Sequence, residues 1–133
     1  MSFQPKGSFK VDLKPQVLAD TAADSSLGRF SIDKEFFGDL EGMSKGEMLS
    51  ARTAIKDSAG YVAIERITGS LAGRKGSFVL QHSSTMTRGK PEQSITVVPD
   101  SGTDELAGLS GSMSIIIEEG KHFYQFDYAL NEA

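Results

Sequence analysis

The chain contains no cysteine and no tryptophan, and only 2 histidines among its 133 residues. Without cysteine there are no disulfides, thiol nucleophiles or thiolate metal sites. That absence suits a reducing compartment, so a cytoplasmic location is expected. Two histidines with no His-Glu-x-x-His spacing argue against a zinc site, and neither metal nor cofactor is expected. No apolar run approaches the roughly 20 residues that a helical bilayer span needs. The opening Met-Ser-Phe-Gln-Pro-Lys-Gly is too polar for the apolar segment of a secretory signal. Positive charge is in deficit: 14 Lys and Arg stand against 18 Asp and Glu, a formal charge of −4. Such a chain lacks the cationic field that phosphate backbones and anionic lipids require. Nucleic acid and membrane surfaces are therefore not expected as partners.

Helical periodicity is also missing. No stretch sustains the i, i+3, i+4, i+7 apolar spacing over the roughly 11 residues that a helix needs. Leu106 and Leu109, between Gly102 and Gly111, fit at most one short helical turn near residues 103–109. Instead, 14 glycines punctuate runs rich in Val, Ile, Phe, Tyr, Thr and Ser, the rhythm of regularly spaced strands and turns. Eight runs stand out: Ser8–Leu13, Gly28–Phe37, Leu40–Ser50, Gly60–Ser70, Gly76–Thr87, Ser94–Val98, Gly111–Glu118 and His122–Leu130. The third is expected to continue through Ile55 to a turn at Asp57–Gly60, and Gln16–Ser26 to form the longest loop. Tight connections between successive runs favour an up-and-down meander, and closing it removes its exposed edges. The expected fold is all-β, one domain over residues 1–133, an eight-stranded antiparallel barrel. Such a barrel holds side chains or one small ligand.

Turn parity predicts what faces inward. A two-residue hairpin on Gly73-Arg74 pairs Ile67 with Leu80, Glu65 with His82, Ala63 with Ser84 and Tyr61 with Met86. The face carrying Tyr61, Ile67, Phe78, Leu80 and Met86 is the more apolar and should face inward, taking Glu65 and His82 with it. A turn at Glu119-Gly120 likewise pairs Ile117 with His122, Ile115 with Tyr124 and Met113 with Phe126, with His122 at the rim. Tyr128 joins that inward face, while Ser112, Ser114, Gln125 and Asp127 face solvent. The run from Gly28 to Ser50 gives no clean face, because Lys34, Glu41 and Lys45 mix with Phe36 and Met43.

The pair Glu65 and His82 carries the one chemical hypothesis. A carboxylate beside an imidazole fixes its tautomer and raises its pKa, as a general base or proton shuttle requires. The same pair read structurally is a buried ion pair that specifies register. Tyr61, Leu80, Ser84, Tyr124 and Phe126 are the candidate ligand-binding residues around it. Ser31-Ile-Asp-Lys34 matches a Ser-x-x-Lys nucleophile pattern, but residues three apart on a strand point to opposite faces. The segment Gly69–Ser77 fails Walker spacing and reads as a hairpin. Asp33 and Glu35 read as charge on a solvated face.

Several stretches carry a family resemblance. They are Ser31-Ile-Asp-Lys34 with Gly38-Asp-Leu-Glu-Gly42, Ser44-Lys-Gly-Glu-Met48, Gly60-Tyr-Val-Ala-Ile-Glu-Arg66 and Gly76-Ser-Phe-Val-Leu-Gln-His-Ser83. The series continues in Gly102-Thr-Asp-Glu-Leu-Ala-Gly-Leu-Ser-Gly111 and Gly120-Lys-His-Phe-Tyr124. In order, and over most of Gly28 to Leu130, they resemble the bacterial domain-of-unknown-function 3224 family, placed among the allene-oxide-cyclase-like, calycin-like barrels. The resemblance implies an eight-stranded barrel and assigns no activity. Cyclisation comes only by analogy with the wider superfamily, whose members steer reactive small molecules inside a barrel; no cyclase catalytic residue is carried over.

The leading expectation is a barrel that binds a small apolar or amphipathic molecule and assists isomerisation or cyclisation through Glu65 and His82. The alternative is a non-enzymatic oligomeric scaffold with a filled barrel. Val62, Ile64, Val79 and Ile116 fall on the outward face and lead us to expect a homo-oligomer.

Overall fold

The computed structural model of the chain describes residues 6–18 and 26–130. Eight antiparallel strands follow one another around a closed barrel. They are β1 (Lys6–Gln16), β2 (Leu27–Gly38), β3 (Leu40–Arg52), β4 (Ala59–Leu71), β5 (Arg74–Thr87), β6 (Lys90–Val97), β7 (Leu109–Glu118) and β8 (Lys121–Leu130). A single 3₁₀ turn, Asp104–Leu106, is the helical element where the sequence placed one. No helix among the described residues is long and apolar enough to cross a membrane. The long loop predicted over Gln16–Ser26 falls partly outside the described residues.

The last hairpin has the predicted register: Met113 faces Phe126, Ile115 faces Tyr124 and Ile117 faces His122. The β4–β5 hairpin turns one residue earlier than expected, at Ala72-Gly73, with φ of 50° and 85°. Both values suit a primed two-residue turn, and the Ala72 N–H donates to the Asp39 carbonyl at 2.8 Å. Every partner therefore shifts by two residues: Glu65 faces Leu80, Ala63 faces His82 and Tyr61 faces Ser84. Because side chains alternate with period two, a two-residue slip leaves the same faces inward. Glu65, Ile67, Phe78, Leu80 and His82 are all buried.

A second correction concerns the end of β3. The strand stops at Arg52 rather than continuing through Ile55. The Thr53 hydroxyl accepts from the Ile55 N–H at 3.2 Å, and this local bond turns the chain before β4.

One half of the barrel is packed solid. Leu40, Leu71, Phe78, Leu106, Leu109, Phe126 and Tyr128 fill the end that carries the β2–β3 and β4–β5 turns. Phe78 and Phe126 stack with ring centroids 5.8 Å apart, and Phe126 meets Tyr128 at 5.3 Å. The segment before β7 closes this end by bonding to β5: Thr103 N–H donates to the Ser77 carbonyl at 2.9 Å, and Val79 N–H to Ser101 Oγ at 3.0 Å. Leu106 is thereby pressed into the barrel end.

Candidate functional site

The opposite half is open. A cavity of about 760 Å³ occupies it, walled by apolar residues including Phe9, Phe30, Ile32, Met48, Ala63 and Ile115. Lys34 and His82 lie at its inner end, and Arg52, Met86 and Ile117 come from strand ends at its mouth. The barrel is thus neither hollow throughout nor filled throughout.

Beneath the cavity lies a buried ionic cluster. Glu65 and His82 approach as the sequence suggested, but diagonally: His82 Nε2 is 2.6 Å from Glu65 Oε2. Lys34 joins them, its Nζ donating to the same Glu65 oxygen at 2.7 Å. Relative exposures are 8% for Lys34, 0% for Glu65 and 3% for His82, so the charges are shielded from bulk water. The Lys34 ammonium also sits 4.9 Å from the Phe9 ring centroid and 5.8 Å from that of Phe36, where aromatic faces favour a cation.

The electrostatics follow from this geometry. Burial pushes the Glu65 carboxyl up, but the His82 hydrogen bond and the nearby Lys34 and His82 charges outweigh it and hold it at about 2. An ionised carboxylate can only accept, so Nε2 of His82 carries the proton shared with Glu65. In the neutral ring the lone pair then lies on Nδ1, the arrangement a base needs. Ser44 Oγ, Glu65 Oε1 and His82 Nδ1 are buried without a hydrogen-bond partner among the described residues. Buried polar atoms of this kind are ordinarily satisfied by water or a ligand.

Lys34 is the member of the cluster that the sequence does not single out. Its signal was parity: Phe30, Ile32 and Phe36 share its face of β2, and the register pairs them with Met48, Gly46 and Gly42 of β3. The strand also places Ser31 on the face opposite Lys34, as the spacing argument required. Between Lys34 on β2 and Glu65 on β4 stands Gly46, which faces Glu65. A Cβ at Gly46 would fall on the Ile64 carbonyl and 2.6 Å from Glu65 Cα, so glycine here lets β3 and β4 pack closely beside the cluster.

The candidate ligand-binding residues divide between the two halves. Tyr61 and Ser84 line the cavity; burial raises the Tyr61 phenol, with the Ser84 hydroxyl acting the other way. Leu80, Tyr124 and Phe126 lie in the packed core, away from the cavity lining. Tyr124 uses its hydroxyl on the backbone, accepting from Leu40 N–H at 2.9 Å and facing the Phe37 carbonyl at 3.0 Å. No group of three or more His, Asp or Glu side chains among the described residues is placed to hold a metal.

The fold and site define a small up-and-down β-barrel with one plugged end, one open cup and an ionic cluster between them. The chain belongs to the DUF3224 family: the pattern described as "Protein of unknown function (DUF3224)" matches residues 5–128. It is similar over its full length to a crystal structure, at 1.84 Å resolution, of a DUF3224 protein of unknown function from Shewanella oneidensis MR-1. The two are 50% identical, each chain is covered over 100% of its length, and the TM-score is 0.95. No curated protein matches the chain.

Proposed function

We propose that the cup binds a small amphipathic molecule and that Lys34, Glu65 and His82 supply the proton chemistry for its isomerisation or cyclisation. The observation that carries this reading is a half-open interior ending on a buried ionic cluster with unpartnered polar atoms. Pockets of this kind combine apolar walls with a few convergent polar groups. Lys34 is offset by the Glu65 carboxylate behind it, so the charge of the lining comes from Arg52 at the mouth, and the lining holds no Asp or Glu among the described residues, in a chain that is acidic as a whole. A cleft lined by one sign of charge concentrates the opposite sign, so an anionic head is favoured over a cationic one. The absence of cysteine supports a cytoplasmic setting.

The test is titration with two fluorescent amphiphiles, an anionic anilinonaphthalene sulfonate and a cationic dye of similar size. The anion is expected to bind at least about tenfold tighter, with the preference shrinking in Arg52→Ala and in high salt. Absence of binding by either dye would sink the proposal.

A second reading has its own observation. Leu49 and Val62 face each other on the outer surface of β3 and β4, and Ile64 lies beside them; these residues are 51%, 51% and 56% exposed. Self-association through this patch is the proposed partner interaction. A sedimentation mass that remains monomeric at high concentration would remove it.

A further inference from the structure

We propose that the seam between β6 and β7 is a side door into the cup, latched by Gln93. The inference rests on the cup being a ligand cavity, as argued above. Ladder pairing between these two strands consists of one residue pair, Thr96 with Ser112. On their other edges both strands pair continuously, β6 with β5 from Val97 to Lys90 and β7 with β8 from Leu109 to Glu118. The β8–β1 seam is also short, but its pairing continues up to His122, almost to the start of β8. Among the described residues, the β6–β7 junction alone leaves the mouth-side parts of two adjacent strands without a ladder.

The local chemistry explains the gap. Continuing the register from Thr96 and Ser112 sets Gln93 opposite Ile115 and Pro91 opposite Ile117. Pro91 has no N–H to donate to a ladder. Gln93 instead receives the Ile115 N–H on its side-chain Oε1 at 2.9 Å, so an amide side chain replaces the missing strand partner. All four residues line the cavity. Ile117, on the inward face of β7 at the mouth, is 64% exposed, so the seam runs directly into the open end of the cup.

The mechanics follow from the same pairing. The β5–β6 hairpin turns at Arg88-Gly89 and the β7–β8 hairpin at Glu119-Gly120, with positive φ at all four residues. Each hairpin is a continuous unit, and the two meet at Thr96 and Ser112, toward the plugged end. Parting them above that point breaks one side-chain hydrogen bond rather than a ladder, so this is the least costly place to open the wall. A molecule can pass sideways between Gln93 and Ile115 while the buried cluster and the packed half stay in place.

The lack of native cysteine makes a direct test clean. In Gln93→Cys/Ile115→Cys, bridging the pair with a short bis-reactive thiol cross-linker should slow association and release of the anionic naphthalene probe at least about threefold relative to the same variant left unbridged, the open mouth carrying the remaining traffic. Measured against the same variant left unbridged, in which the two lining residues are already replaced, both rates should fall by a similar factor, because a door changes rates and not the bound state. Gln93→Ala should speed both rates. In the unmodified protein the Ile115 amide should exchange hydrogen at least about a hundredfold faster than amides in the middle of β4 and β5. Probe that binds with rates indifferent to the cross-link overturns the door and leaves the cup reading standing, as does an Ile115 amide as protected as the β4–β5 ladder. Failure of the unmodified protein to bind the probe counts against the cup reading and takes the door with it.

Discussion

Replacing Glu65 with alanine is expected to lower stability by about 3–5 kcal/mol, the cost of leaving buried charges without their partner. In a chain of this length that corresponds to a melting temperature lower by roughly 10–20 °C. Lys34 and His82 both direct their polar atoms at one Glu65 oxygen, and neither is more than 8% exposed. Glu65→Gln keeps the shape and loses the charge, so its effect should be smaller. A triple variant, Lys34→Met/Glu65→Leu/His82→Phe, should recover most of the loss, because a volume-matched apolar set leaves no orphaned charge. Urea titrations of the three proteins check the order. If Glu65→Ala costs less than about 1 kcal/mol, the cluster is not buried as described.

The same carboxylate makes stability depend on pH in a stated direction. Its folded pKa, about 2, lies below the ordinary 4.5. The stabilisation it contributes is therefore fully present above about 4.5 and is lost as pH falls toward about 2, on the order of 3 kcal/mol in all. Glu65→Gln should flatten this part of the acid-unfolding profile. A profile unchanged by that substitution would assign the acid sensitivity to other carboxylates.

The second large effect separates the two halves of the barrel. Phe126 is fully buried between Phe78 and Tyr128 in the packed end. Phe126→Ala should cost about 3–5 kcal/mol through lost burial and the residual cavity. Because Phe126 does not line the cup, probe affinity in the fraction that remains folded should change by less than about threefold. Ala63 lines the cup and faces both Met48 and His82 across the neighbouring strands. Ala63→Phe places a ring into open space, so its stability cost should stay below about 1.5 kcal/mol, while probe affinity falls at least about tenfold. Loss of binding in Phe126→Ala with binding retained in Ala63→Phe would place the binding site elsewhere.

The physical reasons for what was legible in the sequence differ from element to element. Strand alternation and glycine spacing are local signals, and they were enough for eight strands and for the inward faces of β4, β5, β7 and β8. The β4–β5 turn was misplaced by one residue, yet Glu65 and His82 still came out on the same inward face. The alternation that sets a face depends on parity, whereas the partner of each residue depends on which turn residue takes positive φ. The turn observed is accompanied by a contact from outside the hairpin, the Asp39 carbonyl receiving the Ala72 N–H, which no local pattern displays. Tyr124 was legible as core, but the use of its hydroxyl was not, because its partners lie in the distant β2–β3 turn.

By itself, then, the sequence determined an acidic, cysteine-free, all-β chain with a carboxylate and an imidazole turned to one interior. Closure of the barrel decided the rest. Lys34 sits among mixed charged and apolar residues when β2 and β3 are read as sequence; its partner appears only when β3 sets β2 beside β4, and the lysine then reaches Glu65. Local patterning likewise marks which residues face inward without saying how much volume they must fill. That depends on how eight strands and the Leu106 plug share one interior, and their arrangement leaves one half solid and the other half open.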